Sequence, residues 1–588
     1  MNIRALTLLS AFSLSVSSFP ASPAFAAEAR SPSESLTINL VHLLVQQGVI
    51  TRAQADGLIA QAEAETAEAR RAAAPAAAAA TATATAPTGD ADDTKRVIYV
   101  PEVVKQQLRE DIKQEVMKQA RDENWAAPRA IPEWTQRFRL SGDLRFRYEG
   151  DFFPSGNAAD GSFPDFNAIN RGSPYDVSDS NPDYPPQLNA DQDRERLRLR
   201  ARLALDADLG ESFTAGLRLA TGNDSSPVST NQSMGADGLG SKYALWLDRA
   251  FLTWEAPFHS PDATRPPDTQ LAFTVGRFAN PFFSTDLIWD DDLGFDGIMG
   301  QVSRRIGRIT PFAVAGLFPV YNTDFNFSTN QPEKFKSDDK WLYGAQLGAD
   351  WKITDAIKLK LAVAYYDFAS IEGRLSSPYI PLSSSDAGDT DSTRPAFAQK
   401  GNTYMELRNI IPSLENNNGT INQWQYYGLA TPFRELAFTG RLDFTHFDPV
   451  HVSLEIEAVK NLAYDEAAID AKAVNNRVPS APGDPAGSFD GGDFGWFARL
   501  NVGNPVLERF GDWQASIAYK YVESDAVVDA FTDSDFGLGG TNLKGYILGL
   551  SMGLSKRVNG RIRWLSADSI GGAAYSVDVF QFDINARF

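Results

Sequence analysis

The sequence predicts an all-β transmembrane antiparallel β-barrel of about 16 strands, with 18 left open, preceded by a short α-helical periplasmic segment. Three observations predict it. The first is the stretch D-R-E-R-L-R-L-R-A-R-L-A-L from Asp193 to Leu205, with arginine at 194, 196, 198, 200 and 202 and apolar residues between. Successive strand side chains point to opposite faces, so this spacing makes one cationic face and one apolar face; a helix would scatter the same arginines around its axis. At about 6.8 Å per pair of residues the ladder is on the order of 27 Å long, close to a bilayer's apolar core. The second is a regular alternation of short and long links between strands, and the third is an alternating last strand that ends on Phe588.

In chain order, Arg4, the apolar run Ala5 to Val16 and Ala24-Phe25-Ala26 form a secretory leader over 1–26, with cleavage expected before Ala27. Residues 27–71 read as two helices. The run Ser35 to Gln47 ends at Gly48, and Thr51 opens a T-R-A-Q capping box. Its G-V-I-T-x-x-Q arrangement resembles small helix-turn-helix modules of bacterial proteins, and it reads as a local folding or oligomerisation element. Residues 72–100 form a low-complexity linker, rich in Ala, Thr and Pro to Asp93, with too little large apolar surface to fold alone. Residues 101–125 form an amphipathic, coiled-coil-like helix with Val104, Leu108, Ile112 and Val116 on one stripe, and Pro128 and Pro132 follow it.

The barrel is expected over 135–588. Its first strand alternates Arg137, Arg139, Asp143, Arg145 and Arg147 with Phe138, Leu140, Leu144, Phe146 and Tyr148. Strands are expected near 137–150, 193–208, 212–222, 243–256, 270–278, 293–305, 310–320, 338–353, 356–368, 433–447, 450–462, 492–502, 512–523, 541–555, 559–568 and 575–588. Short links such as 210–211, 306–309, 354–355, 448–449 and 557–558 alternate with long ones such as 151–192, 279–292, 369–432 and 524–540. Short periplasmic turns and long outer loops are the membrane-barrel arrangement; a hairpin hidden in 369–432 would raise the count to eighteen. Lys358 and Lys360, then Glu455 and Glu457, and then Gln514 and Lys520 all fall on the faces opposite apolar rows. A charged side chain at the bilayer midplane costs roughly 2 to 4 kcal/mol, so these faces must look into a wet lumen.

The net charge of -20 argues against a nucleic-acid partner, and the absence of cysteine removes disulfides and thiolate metal sites. His42, His259, His446 and His451 are the only histidines, and no metal site is expected from them. The acidic runs lack the spaced ligands and glycine of a calcium loop. No nucleophile elbow or phosphate loop occurs, so the expectation is no enzyme and no cofactor.

The tract P-E-W-T-Q-R-F-R-L-S-G-D-L-R-F-R-Y from Pro132 to Tyr148 resembles the barrel start of the bacterial outer-membrane "putative porin" family. So does V-G-R-F-A-N-P-F-F-S-T-D-L-I-W-D-D-D-L-G-F-D-G from Val275 to Gly297. The resemblance covers roughly 130 to 588 and includes Phe588, which is similar to the terminal aromatic read by the barrel-assembly machinery. It implies a channel in the outer membrane of a Gram-negative cell, contacting outer-membrane lipid and passing small hydrophilic solutes. The N-terminal segment would lie in the periplasm, and a homotrimer is left open.

On this reading Arg139, Arg145, Arg147, Arg194, Arg196, Arg198, Arg200 and Arg202 line one wall of the pore. Asp290, Asp291, Asp292 and Asp296 are the candidates for a facing acidic side, and together the two would set up a transverse field. The alternative is that Asp143, Asp193 and Glu195 neutralise the ladder. Two other functions stay open. One is a substrate-specific oligosaccharide or anion channel, with Trp246, Trp254, Trp289, Tyr321 and Trp341 as a track. The other is a structural or adhesive barrel with a plugged lumen and binding loops at 151–192 and 369–432.

Overall fold

The computed structural model describes residues 133–159, 161–258, 267–323, 335–336, 338–480 and 486–588. The leader, the helical module, the linker and the helix expected over 1–125 lie outside them.

Sixteen long strands form the wall. They are β1 (Phe138–Phe152), β2 (Arg194–Gly210), β3 (Phe213–Ala220), β4 (Trp246–Glu255), β5 (Thr269–Ala279), β6 (Gly294–Arg304), β7 (Ile309–Tyr321) and β8 (Lys340–Lys352), continuing with β9 (Ile357–Ala369), β10 (Phe433–Phe447), β11 (Val450–Asn461), β12 (Phe494–Gly503), β13 (Trp513–Val522), β14 (Leu543–Ser555), β15 (Val558–Ser569) and β16 (Ser576–Arg587). Each pairs antiparallel with its sequence neighbours, and β16 pairs with β1, so the sheet closes and has no free edge. A two-residue strand, Gln232–Ser233, continues the pairing along the outer part of β2 where the short β3 stops. β9 pairs directly with β10, which fixes the count at sixteen. The pairing of Tyr404–Glu406 with Tyr427–Leu429 inside the 370–432 loop is a separate ribbon and does not enter the wall.

Phe588 takes part in the closure. Its N–H donates to the Gly142 carbonyl and its carbonyl accepts from the Gly142 N–H, both at 3.0 Å. The ring lies over Gly142, where any Cβ would sit 2.5 Å from it. The terminal aromatic therefore covers the seam between first and last strands.

Exposure along the strands is inverted relative to a water-soluble protein. On β8 to β10 the exposed rows hold Tyr343, Leu347, Val363, Tyr365, Leu436 and Phe438, while the buried rows hold Lys340, Gln346, Glu435 and Thr439. An apolar outside around a polar inside is stable only in lipid. Exposed aromatics mark both edges of the belt. Trp246, Trp341, Tyr343, Trp496 and Tyr546 lie toward the long loops, and Phe138, Trp351, Phe447 and Trp513 toward the short turns.

Candidate functional site

The register of β1 with β2 builds the arginine wall. Asp143 stands opposite Arg202, Arg145 opposite Arg200, Arg147 opposite Arg198, Glu149 opposite Arg196 and Asp151 opposite Arg194. Five arginines this close repel unless carboxylates intervene, and they do. Glu149 binds Arg196 at 2.6 Å and Arg198 at 3.0 Å, and Asp151 reaches Arg196 at 3.2 Å. Asp143 holds Arg202 at 2.7 Å and Arg200 at 3.0 Å. Arg147, only 2% exposed, lies between Asp583 of β16 at 2.6 Å and Asp535 of a loop at 2.9 Å. Asp193 instead accepts the Phe153 N–H at 2.8 Å, and Glu195 falls on the outward-facing row of β2. Arg139 is exposed near the short-turn end, with Asp206 across from it.

Not every guanidinium is matched. Among the described residues Arg145, Arg249 and Arg561, like Arg194 at the end of the ladder, have no ion pair. Arg145 bonds Asn231 at 2.5 Å, and its Nε, like that of Arg249, is buried without an acceptor. Arg563, beside Arg561 on the same inward row of β15, pairs with Asp535.

The loop 280–293 crosses the lumen as a chord and is fastened along its length. Gln346 of β8 accepts the Phe283 N–H and donates to the Phe283 carbonyl, both at 2.8 Å. Glu457 of β11 accepts the Thr285 N–H at 3.0 Å and its hydroxyl at 2.6 Å, and also the Thr439 hydroxyl at 2.8 Å. Arg499 of β12 holds the Asp286 carboxylate at 2.5 Å, and the Lys520 ammonium of β13 donates to the Asp286 carbonyl at 2.9 Å. At the far end Asp292 meets Arg202 at 3.1 Å, Arg200 at 3.4 Å and the Thr230 hydroxyl at 2.9 Å. A second loop, 523–542, docks on the chord where Ser534 donates to Asp290 at 3.0 Å and Asp290 donates its N–H to Phe531.

The four predicted aspartates therefore have different surroundings. Asp292 is tied into the ladder and Asp290 is buried under the second loop. Asp296 lies on β6 and pairs with Arg277 at 2.6 Å, while Asp291 stays exposed on the chord. The Asp291 carboxyl is pushed up to about 6, chiefly by its neighbour Asp286. Asp286 itself, despite burial, is held below the usual range by Arg499. The alternation puts Glu457 and Lys520 on the wet face, but nothing local shows that they, Gln346 and Arg499 hold a loop from elsewhere in the chain, or that Arg147 and Arg563 hold Asp535.

On the β5 to β9 side the chord's aromatics form a layer. Phe282 lies 6.0 Å from Phe318, 6.1 Å from Phe295 and 5.0 Å from Tyr366, and Phe295 lies 5.2 Å from Phe318. Glycines make room for the rings: a Cβ on Gly344 would sit 2.5 Å from Phe282, and one on Gly316 would sit 2.2 Å from Phe318. Above the layer is a cavity of about 550 Å³ floored by Trp289, Phe295 and Phe318; below it is one of about 720 Å³ lined by Phe282, Phe283 and Lys360. Of the aromatics considered for a track, Trp246 and Trp341 are on the exposed belt and Trp254 stacks on exposed Phe273 at 6.1 Å. Trp289 is buried in the plug, and Tyr321 carries the Lys340 ammonium 5.4 Å from its ring centre.

A search of curated proteins finds no match. Solved structures with similar folds include the outer-membrane channel DcaP of Acinetobacter baumannii, at 11% identity over 77% of this chain and 97% of that one, with a TM-score of 0.33. OprB of Pseudomonas putida has 12% identity over 79% and 97%, with a TM-score of 0.40. An anion-selective porin from Comamonas acidovorans has 12% identity over 77% and 99%, with a TM-score of 0.35. Likeness at this level says nothing about what this chain conducts. The family model described as Putative porin, by contrast, matches residues 34–588, nearly the whole sequence, and the chain belongs to that family of bacterial outer-membrane barrels.

Proposed function

We propose that this protein is a passive diffusion channel for small hydrophilic solutes, and that its arginine wall selects them by charge. The observation that carries the reading is a set of inward guanidinium groups with no carboxylate partner among the described residues, Arg145, Arg249 and Arg561, beside a ladder whose Arg196, Arg198, Arg200 and Arg202 are paired. Asp291 on the chord, beside the Arg499-bound Asp286, supplies negative charge within the lumen. Such an arrangement favours anions near the arginines and orients dipolar solutes across the lumen.

Replacing Arg145 and Arg561 by Ala is expected to shift the anion-to-cation permeability ratio toward cations by about threefold, well inside the range that focused fields produce. Reversal potentials in a salt gradient across a planar bilayer measure this, and an unchanged ratio would sink the selection idea. The chord adds a pH dependence. Because the Asp291 carboxyl is raised to about 6, it is ionised at pH 8 and neutral at pH 5. Acidification therefore removes negative charge from the chord, and the anion preference should rise between pH 7 and pH 5. A flat ratio across that window in wild type, or an equal rise in Asp291→Asn, rules the group out.

The same reading puts the preface over 27–125 in the periplasm, has Phe588 read by the barrel-assembly machinery and treats association into a homotrimer as the assembly to test by crosslinking. Non-catalytic passage, with no cofactor, accounts for the family and for the polar lumen. A second reading, a structural barrel with a plugged lumen, is favoured by the fastened chord and the docked 523–542 loop. Absence of conductance from folded protein in a planar bilayer would decide for it.

A further inference from the structure

The outer cavity, about 550 Å³, has an apolar floor and a charged frame. Trp289, Phe295, Phe318 and Phe531 make the floor and sides. A dry cavity of about 150 Å³ holds benzene, so there is room here for a ring with substituents. The acids of the frame are committed: Asp292 to Arg200 and Arg202, Asp248 to Arg218, and Asp296 to Arg277. Asp529 accepts the Tyr404 hydroxyl at 3.0 Å, and burial pushes its carboxyl up to about 7, so it carries a partial charge near neutrality. Asp224 stands at the exposed rim.

Two cations of the frame are not committed. Lys340 is 1% exposed, yet among the described residues its ammonium has only the Ser392 carbonyl at 3.0 Å and the Tyr321 ring. Its neighbouring acids make no ion pair with it: Asp338 is held by Arg374, and Asp339 accepts the Thr323 N–H at 3.0 Å. Arg171, at the mouth, has among the described residues only the Ala396 carbonyl at 3.5 Å. A buried ammonium that can still donate, beside an aromatic floor, matches a solute with a carboxylate on a flat apolar body.

We infer that the outer cavity is a binding site for a small aryl or similarly apolar carboxylate, held by Lys340 and Arg171 above the Phe282–Phe295–Phe318 layer before passage. This rests on the channel reading and adds a solute class to it. The layer gives the site its depth: the floor of the outer cavity packs against Phe282, which lines the inner one.

The test is calorimetric titration of the full-length protein in detergent micelles with benzoate, benzyl alcohol and acetate, each against protein-free micelles. Benzoate should bind with saturation, and benzyl alcohol and acetate about tenfold more weakly or less, the equivalent of one charge-assisted contact or one buried ring. Lys340→Met and Arg171→Met should each weaken benzoate about tenfold, and Lys340→Arg should restore it. Ala396→Trp, which fills the mouth without touching the wall, should abolish it and serves if the Lys340 variants fail to fold. Equal binding of benzoate and benzyl alcohol, or unaltered benzoate binding in Ala396→Trp, overturns the site. Wild-type conductance, recorded separately, judges the channel: conductance without benzoate binding defeats this inference alone, and benzoate binding without conductance defeats the channel alone.

Discussion

A chain carrying Gln346→Ala and Glu457→Ala together conducts at least about twice the current of the parent in single-channel recordings, because the widened bottleneck sets the current. These two residues contribute four hydrogen bonds to the chord, two to the Phe283 backbone and two to Thr285. At about 0.5 to 1.5 kcal/mol net each, their loss costs the docked position roughly 2 to 6 kcal/mol, and every 1.4 kcal/mol is tenfold in population. Both residues are buried, Gln346 at 1% and Glu457 at 2%, so no water competes for these bonds while the loop is docked. The freed backbone groups of residues 283 and 285 can be hydrated in the lumen once the loop swings. Asp286 and Asp292 remain tied to Arg499 and the ladder, so the chord loosens in its first half rather than leaving. Unchanged conductance in variants that still show the folded barrel's heat-modifiable gel shift would mean that the chord does not limit flow.

What the sequence disclosed and what it hid follow from the range of the interactions. Period-two alternation is local, so each of the sixteen wall strands could be located from its own residues, and the ladder from Arg194 to Arg202 came out as one inward row. Phe588 was legible for the same reason, although its ring over Gly142 was not. The chord was not legible, because its fastenings join residues far apart in the chain, such as Thr285 to Glu457 and Asp292 to Arg202. Composition marks 280–293 and 523–542 as loops without saying which fold inward. The same limit applies to the ladder's charge balance. Asp292 reaches Arg200 and Arg202 from a distant segment, and Asp535 and Asp583 reach the neighbouring Arg147 from two more, whereas the nearby Asp193 and Glu195 serve elsewhere. Glycine notches such as Gly344 under Phe282 are also invisible until the strands are in register.

Asp535→Asn is expected to lower unfolding stability by about 3 kcal/mol, the low end of the cost of breaking a buried ion pair. Asp535 joins Arg147 of β1 at 2.9 Å to Arg563 of β15, and so locks loop 523–542 to strands on both sides of the closure seam. Despite burial, Arg147, Arg563 and Arg145 hold its carboxyl well below the usual carboxylate range. A depressed carboxylate gives stability that is complete above its unfolded value of about 3.9 and is lost only as pH falls through the folded value, so this lock is at full strength at neutral pH. The amide keeps the shape but leaves Arg147 with Asp583 and Glu149 alone, and Arg563 with the side-chain amide oxygen of Gln581. Denaturant midpoints in micelles measure the loss, and hydrogen exchange over 523–542 should rise at the same time. The control is Asp268→Asn, whose partner Arg305 is 37% exposed in a side-chain pair open to solvent; rim pairs of that kind contribute about 0 to 1 kcal/mol. Equal losses in the two variants would show that Asp535 contributes no more than a surface charge. A loss confined to Asp535→Asn, with faster exchange in its loop, identifies the carboxylate as the tie between plug and seam.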